Sequence, residues 1–143
     1  MMGALGDWRI LALLSAVFAA LTSILGKVGV AGVPSNLATA VRTSFVLVVA
    51  WGFVLARGEA HALPTLPRRT VLFLGLSALT TGLSWLAYFR ALQLGPASRV
   101  AALDKLSLAL TVVLAVVFLR ETLTWRVGLG AAVMTAGAFL MVK

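Results

Sequence analysis

The sequence has no cysteine and few charged residues, and both deficits narrow the class of protein. Charged residues make up 11% of the 143 positions, only four residues are Asp or Glu, and the one histidine is His61. The lack of cysteine excludes disulfides, thiolate metal sites and thiol catalysis. The chain also has no glycine-rich phosphate loop and no two carboxylates within one apolar run. We therefore expect no enzyme active site, no bound metal and no cofactor.

What the sequence has in excess is apolar surface. Hydrophobic residues reach 62%, and the mean hydropathy is +1.08. A soluble domain of this size needs a polar shell around its core. Here the polar residues cluster between long apolar runs, so lipid is the expected solvent. The net charge of +8 does not indicate nucleic-acid binding, because the Lys and Arg residues lie beside the apolar runs and form no basic tract.

Five runs without charged residues predict an all-α integral membrane protein, a bundle of five transmembrane helices. A helix needs about 20 residues to cross about 30 Å of hydrocarbon. The runs at 43–56 and 106–119 are too short, so their helices must begin earlier, at Pro34 and Pro96, where proline suits the first helical turn. We predict a single domain, 1–143, with spans at about 8–30, 35–56, 69–91, 98–119 and 124–142.

These helix starts place charged residues inside the spans. Arg42 lies about two turns into the second span, and Asp104 with Lys105 lies at a similar depth in the fourth. With alternating spans, these three residues, Lys27 and Arg90 lie toward the same membrane face. Ionisable groups inside a membrane cost about 2.5 to 3.5 kcal/mol each and usually mark a pathway. Lys27 also fits the alternative in which its side chain only extends to the interface.

Asp104 is the only acidic residue that falls well inside a predicted span. A structural ion pair with Arg42 or Lys27 accounts for it, and so does a role in substrate or proton coupling. The charged cluster holds more cations than anions. A solute that binds there is therefore expected to be anionic or zwitterionic.

Polar side chains form one stripe on the third span and another on the fourth. Spacings of three and four residues bring side chains to one helical face. The two stripes are predicted to line a hydrated cavity, and hydrogen bonding of the hydroxyls to helix carbonyls is the alternative. The stripes and the aromatic residues beside the first are Ser77, Thr81, Ser84, Trp85, Tyr88 and Phe89 on the third span and Asp104, Ser107 and Thr111 on the fourth.

The fifth span carries small residues at four-residue spacing, namely Gly128, Ala132 and Ala136. Such a series lets another helix approach closely. That helix belongs either to the same chain or to a second subunit, and the spacing fits both.

Lysine and arginine near the span ends usually set the orientation of a membrane protein. Here the twelve cations divide evenly between the two faces, with a modest excess on the N-terminal side once those inside helices are discounted. The charge distribution therefore allows two topologies. Either the N-terminus lies inside the cell, or the chain inserts in both orientations. The two sets are Arg9, Arg57, Arg68, Arg69, Arg120 and Arg126, and Lys27, Arg42, Arg90, Arg99, Lys105 and Lys143.

Three segments resemble one known family. They are ATAVRTS at 38–44, ALQLGPAS at 91–98, and FLRETLTW at 118–125 with the glycine-rich helix after it. In order and spacing they are similar to the EamA-type domain of the drug/metabolite transporter superfamily, over nearly the whole chain. Asp104-Lys105 departs from the pattern, because many such domains carry uncharged residues and a proline there.

The resemblance implies both a fold and a function. Most members look like two such domains fused into ten helices, so this chain resembles one half of an inverted-repeat transporter in a bacterial inner membrane. It implies secondary transport of small organic molecules by a homodimer, in either an antiparallel or a parallel arrangement. The small multidrug relatives use a glutamate in their first helix, and this first helix has no acid after Asp7. A membrane accessory or scaffold subunit that moves nothing is the alternative.

Overall fold

The protein consists of helices that follow the five apolar runs. The structure, a computed structural model, describes residues 7–142, so Lys143, counted above among the cations, lies outside the described residues. The prediction of an all-α chain with five membrane-spanning helices is confirmed, and residues 7–142 contain no strand. The helices are α1 (Trp8–Gly29), α2 (Ser35–Ala56), α3 (Arg68–Leu94), α4 (Ala97–Asp104), α5 (Leu106–Leu119) and α6 (Trp125–Val142).

The lengths and surfaces of these helices suit a membrane. The five spans have 22, 22, 27, 23 and 18 residues, with α4 and α5 together forming the fourth. At 1.5 Å per residue, the shortest is about 27 Å long and matches the hydrocarbon core. Large apolar side chains on every span are exposed in the single chain, among them Phe45, Val48 and Phe118 at 70%, 69% and 75%. Lipid or another helix must cover this surface.

The described chain divides into two compact units. One consists of the residues up to Lys27 and those from Leu94 onward, and within it α4 and α5 both pack on α6. The other is Val28–Gln93, and within it α2 packs on a short 3₁₀ helix, Glu59–Thr65. The second unit contains the turn between α1 and α2, which positions the start of α2.

The side chain of Gln93, in the last turn of α3, binds the turn between α1 and α2. Its Nε2 donates to the carbonyl oxygen of Val30 at 2.8 Å and to that of Val33. Its Oε1 accepts a hydrogen bond from Nη1 of Arg90 at 2.9 Å. Val30 and Leu92 are fully buried beside it. Gln93 therefore satisfies two backbone carbonyls that the turn leaves without helical partners.

Replacing Gln93 with alanine is expected to lower the free energy of unfolding by about 1–2 kcal/mol, because two backbone carbonyls lose a donor. The matched control is Arg90→Ala, which removes only the exposed bond to Gln93 and is expected to cost less than about 0.5 kcal/mol. Thermal unfolding of both variants in detergent measures the difference. Equal effects of the two substitutions would contradict the role assigned to the carbonyl contacts.

Candidate functional site

Arg42 is the charged residue that the structure surrounds most closely with aromatic side chains. It lies in α2, and its Cζ is 4.2 Å from the ring centroid of Trp85 and 5.0 Å from that of Phe89. Trp85 and Phe89 are one turn apart in α3, so both rings lie on the face that meets Arg42. A guanidinium over a desolvated aromatic ring is stabilised by about 2 kcal/mol. This contact stabilises the charge of Arg42 inside a membrane span.

The surroundings of Arg42 leave part of its guanidinium without a partner. Phe89, Thr39 and Ser35 are buried, at 3%, 5% and 8% exposure. The hydroxyl of Thr39 donates to the carbonyl of Ser35 at 2.9 Å, so it is already engaged within α2. Nη1 of Arg42 is itself buried and has no hydrogen-bond acceptor among the described residues. A buried charged donor of this kind suits an anionic ligand.

The fourth span is interrupted at Lys105, where the sequence predicted a continuous helix. α4 ends at Asp104, and α5 begins at Leu106. The N–H of Lys105 donates to the carbonyl of Ala102 at 3.2 Å, and the N–H of Leu108 donates to the carbonyl of Lys105 at 3.0 Å. Both bonds span three residues instead of the four of an α-helix, so a tighter turn lies within the span. The backbone at Lys105 stays in the right-handed helical region, with φ −69° and ψ −9°, so the interruption is a local tightening within one span, Ala97–Leu119.

The two charged side chains at this interruption face each other. Oδ2 of Asp104 lies 3.6 Å from Nζ of Lys105, and the side chains are 38% and 54% exposed. Lys27, near the end of α1, donates from Nζ to the carbonyl of Gly95 at 2.9 Å. Asp104 is therefore paired with its neighbour in the chain, and pairing with Arg42 or Lys27 stays a prediction.

The two predicted stripes are helical faces whose threonine hydroxyls bond within their own helix. On α3, Thr81 donates to the carbonyl of Ser77 at 2.8 Å, and on α5, Thr111 donates to the carbonyl of Ser107 at 2.8 Å. These four residues are exposed. The threonine bonds match the alternative interpretation of the stripes, and their lining of a shared cavity stays a prediction.

The remaining stripe residues belong to the part of α3 that meets Arg42. Ser84 is exposed, while Trp85 and Tyr88 are half-buried. The ring of Tyr88 meets that of Phe89 edge to face, with centroids 5.9 Å apart and an interplanar angle of 81°. Of the predicted site residues, the structure thus brings together Arg42 and Trp85.

The small residues of α6 divide between two faces. Gly128 is half-buried, as are Ala131 and Thr135, which continue its face toward the buried Ala138. This face is the covered side of α6. The other two residues of the predicted series, Ala132 and Ala136, are exposed. Their use by a second subunit stays a prediction.

Phe89 and Gln93 also support the site. Phe89, expected as aromatic surface beside the first stripe, lies with Trp85 around Arg42, four residues further along α3. Gln93, the only glutamine in the chain, holds the turn that precedes α2. A lone carboxamide at the end of an apolar span is a weak signal, because most such residues simply face water.

The chemistry available at these positions is that of reversible binding. The unit Val28–Gln93 offers a guanidinium and aromatic rings, and the other unit separately offers the charged pair Asp104 and Lys105; groups of these kinds bind and release polar organic solutes. Across residues 7–142, no group of three or more His, Cys, Asp or Glu side chains lies close enough together to hold a metal ion. Five spans, a charge stacked on aromatic rings and an interrupted helix define a multi-pass integral membrane protein of the transporter class.

Comparison with known proteins gives the family. The model of the EamA-like transporter family matches residues 7–143, and this chain belongs to that family. A protein of Sinorhizobium sp. named "Uncharacterized transporter in cobO 3'region" is 52% identical over 135 residues, which are 94% of this chain and 96% of the relative. No solved structure matches the chain. The resemblance found in the sequence is confirmed, and both findings point to transport rather than to catalysis.

Proposed function

We propose that this chain is a secondary transporter of small organic molecules in a bacterial inner membrane, working as an antiparallel homodimer. In this proposal α2 and α3 hold the substrate at Arg42 and Trp85. Asp104, at the interruption of the fourth span, provides the acid–base group for coupling to protons. The substrate carries a negative charge, either as an anion or as one end of a zwitterion.

The observation that carries the proposal is the set of contacts that Arg42 makes and lacks. A cation inside a membrane span is costly unless it is paired or used. Here aromatic rings at 4.2 and 5.0 Å stabilise the charge, while its buried Nη1 has no acceptor among the described residues. Aromatic stacking leaves the in-plane N–H donors of a guanidinium available. If Arg42 had only a structural role, a carboxylate of the chain itself would be a better partner for its charge.

The dimeric part of the proposal is supported by the number of spans and by the distribution of charge. Five spans place the two termini on opposite faces of the membrane. Many secondary transporters have their site between two halves of inverted topology. One five-span chain inserted in both orientations supplies both halves, and the even division of Lys and Arg permits both insertions. The exposed Ala132 and Ala136 of α6 offer a face that a second chain can approach closely.

Transport by the purified chain is tested in liposomes with a mixture of candidate substrates. Liposomes that contain the protein are loaded with a defined set of organic acids, amino acids, amines and neutral metabolites, and efflux is followed by mass spectrometry under a pH gradient. We expect at least one anionic or zwitterionic compound to leave faster than it leaves protein-free liposomes. If no compound moves although the protein is folded and inserted, the chain is an accessory or scaffold subunit.

A further inference from the structure

The contacts around Arg42 indicate how many charges a ligand carries and what shape it has, in addition to the sign of its charge. Within Val28–Gln93, the other arginines lie in the first turn of α3, four residues before its end or just beyond α2, at Arg57, Arg68, Arg69 and Arg90. Arg90 also donates to Oε1 of Gln93 at 2.9 Å. Arg42 is thus the one cation of this unit well inside a span. One positive charge balances one negative charge, so a singly charged group fits it better than a doubly charged phosphate.

The shape of the donor group points to a planar acceptor. A guanidinium presents its N–H groups in one plane, and that geometry matches the two oxygens of a carboxylate. With Trp85 and Phe89 near the guanidinium at 4.2 and 5.0 Å, an acceptor must approach along the guanidinium plane, where the buried Nη1 is found. A flat anion with two oxygens, such as a carboxylate, can accept hydrogen bonds from N–H groups in that plane.

The walls beside this donor are apolar and aromatic. Phe89 is buried, Trp85 and Tyr88 are half-buried, and the rings of Tyr88 and Phe89 meet edge to face. Aromatic surface of this kind packs against the body of an apolar or aromatic compound. We infer that Arg42, Trp85, Tyr88 and Phe89 form a carboxylate-binding site for small organic monocarboxylates. The inference deepens the proposed function and depends on it for the claim that the bound compound is transported.

An anionic lipid headgroup shares the negative charge of a carboxylate and is the other source of such a ligand. Nη1 of Arg42 is shielded by the protein, and Arg42 lies seven residues after the start of α2, about 10 Å along the helix. Because Nη1 is covered in this structure, a ligand reaches it only when the neighbouring side chains move, and a small soluble carboxylate requires less movement than a lipid does. A headgroup phosphate is fixed to the glycerol backbone of its lipid, so it fits this position less well.

Fluorescence of Trp85 tests the site directly, because its ring lies 4.2 Å from the guanidinium that binds the ligand. The chain has four tryptophans, and replacing Trp8, Trp51 and Trp125 with phenylalanine leaves Trp85 as the reporter. The purified full chain in detergent is titrated with benzoate, with benzamide as its uncharged analogue, and in a separate arm with phosphatidylglycerol. We expect a saturable change with benzoate, none with benzamide and a weaker, non-competing response to the lipid.

Two variants at Arg42 separate binding from folding. Arg42→Gln is expected to abolish the benzoate response, and Arg42→Lys, which keeps the charge but lacks the planar donors, to weaken apparent affinity about tenfold or more. Arg42→Lys is the informative variant if Arg42→Gln does not fold. The matched control is a chain with Trp125 as its only tryptophan, because Arg126 lies 5.8 Å from that exposed ring. This chain is expected not to respond.

Several results would overturn the inference. They are an equal response to benzamide, a benzoate response that survives Arg42→Gln, a response to phosphatidylglycerol alone, and no response to any of the three probes. Binding of benzoate without transport of any compound would count against the proposed function and leave this site in place. Transport of carboxylates without binding that depends on Arg42 would count against this site and leave the proposed function in place.

Discussion

Removing Arg42 and Asp104 together, as Arg42→Ala with Asp104→Ala, is expected to lower transport by the purified, folded chain about 10- to 100-fold for whichever substrate it moves. A hydrogen bond to a charged group contributes about 1.5 to 3 kcal/mol, and each 1.4 kcal/mol is about tenfold in affinity. Arg42 accounts for most of this loss through substrate binding. The loss of Asp104 removes the carboxylate proposed to exchange protons. Initial rates of uptake into liposomes measure the effect.

The chain contains a matched control for this double substitution. Arg57 and Glu59 form an exposed ion pair outside the membrane spans, with Nη1 and Oε1 4.0 Å apart. Arg57→Ala with Glu59→Ala removes the same two charges and keeps the same net charge. We expect transport by this control to stay close to that of the unmodified chain. If Arg42→Ala with Asp104→Ala also left transport unchanged, neither residue would belong to the pathway.

Replacing Asp104 alone with asparagine is expected to abolish accumulation of substrate against a gradient while leaving exchange of substrate across the membrane. Asparagine keeps the size and the hydrogen-bonding ability of the side chain but cannot take up or release a proton. A difference of one pH unit supplies about 1.4 kcal/mol per proton and so drives about tenfold accumulation. With asparagine in place of Asp104, this accumulation should disappear. Lys105, whose Nζ lies 3.6 Å from the carboxylate, is left in place.

Two assays on one preparation of liposomes distinguish coupling from simple loss of structure. Accumulation is measured under an imposed pH gradient, and exchange is measured with labelled substrate at equal concentrations on both sides. Glu59→Gln, which makes the same chemical change in an exposed residue outside the spans, serves as the control and should retain both activities. If Asp104→Asn lost both activities and also unfolded at a lower temperature, Asp104 would be a structural ion-pair partner instead.

The helices could be predicted from the sequence because their main determinant is local. Long apolar runs require helices in lipid, since no other open structure satisfies the backbone there. Pro34 and Pro96 mark where two of the helices begin, and the structure places α2 and α4 directly after them. The third helix continues to Leu94, three residues beyond the expected 91. Gln93, in the extra turn, bonds to carbonyls far away in the chain, which a local pattern does not reveal.

The candidate site was predictable only in part. The presence of Arg42 inside a span follows from counting residues back from the apolar run, and Trp85 is recognisable beside a polar stripe. Their contact at 4.2 Å depends on which faces of α2 and α3 meet, and periodicity within one helix carries no such information. The interruption at Lys105 was likewise missed, because the residues on both sides of it continue an apolar helical pattern. The charged pair Asp104-Lys105 is the only feature of the sequence that indicates this interruption.

The claim most central to this account is that one five-span chain supplies both halves of a transporter, and the lack of native cysteine allows a direct test. A single cysteine is placed at the N-terminus or, in a second variant, at the C-terminus, and intact cells are labelled with a membrane-impermeant thiol reagent before and after permeabilisation. We expect about half of the molecules of each variant to react in intact cells, because both orientations are present. If one terminus reacts fully and the other not at all, the chain has a single orientation and the antiparallel homodimer is wrong.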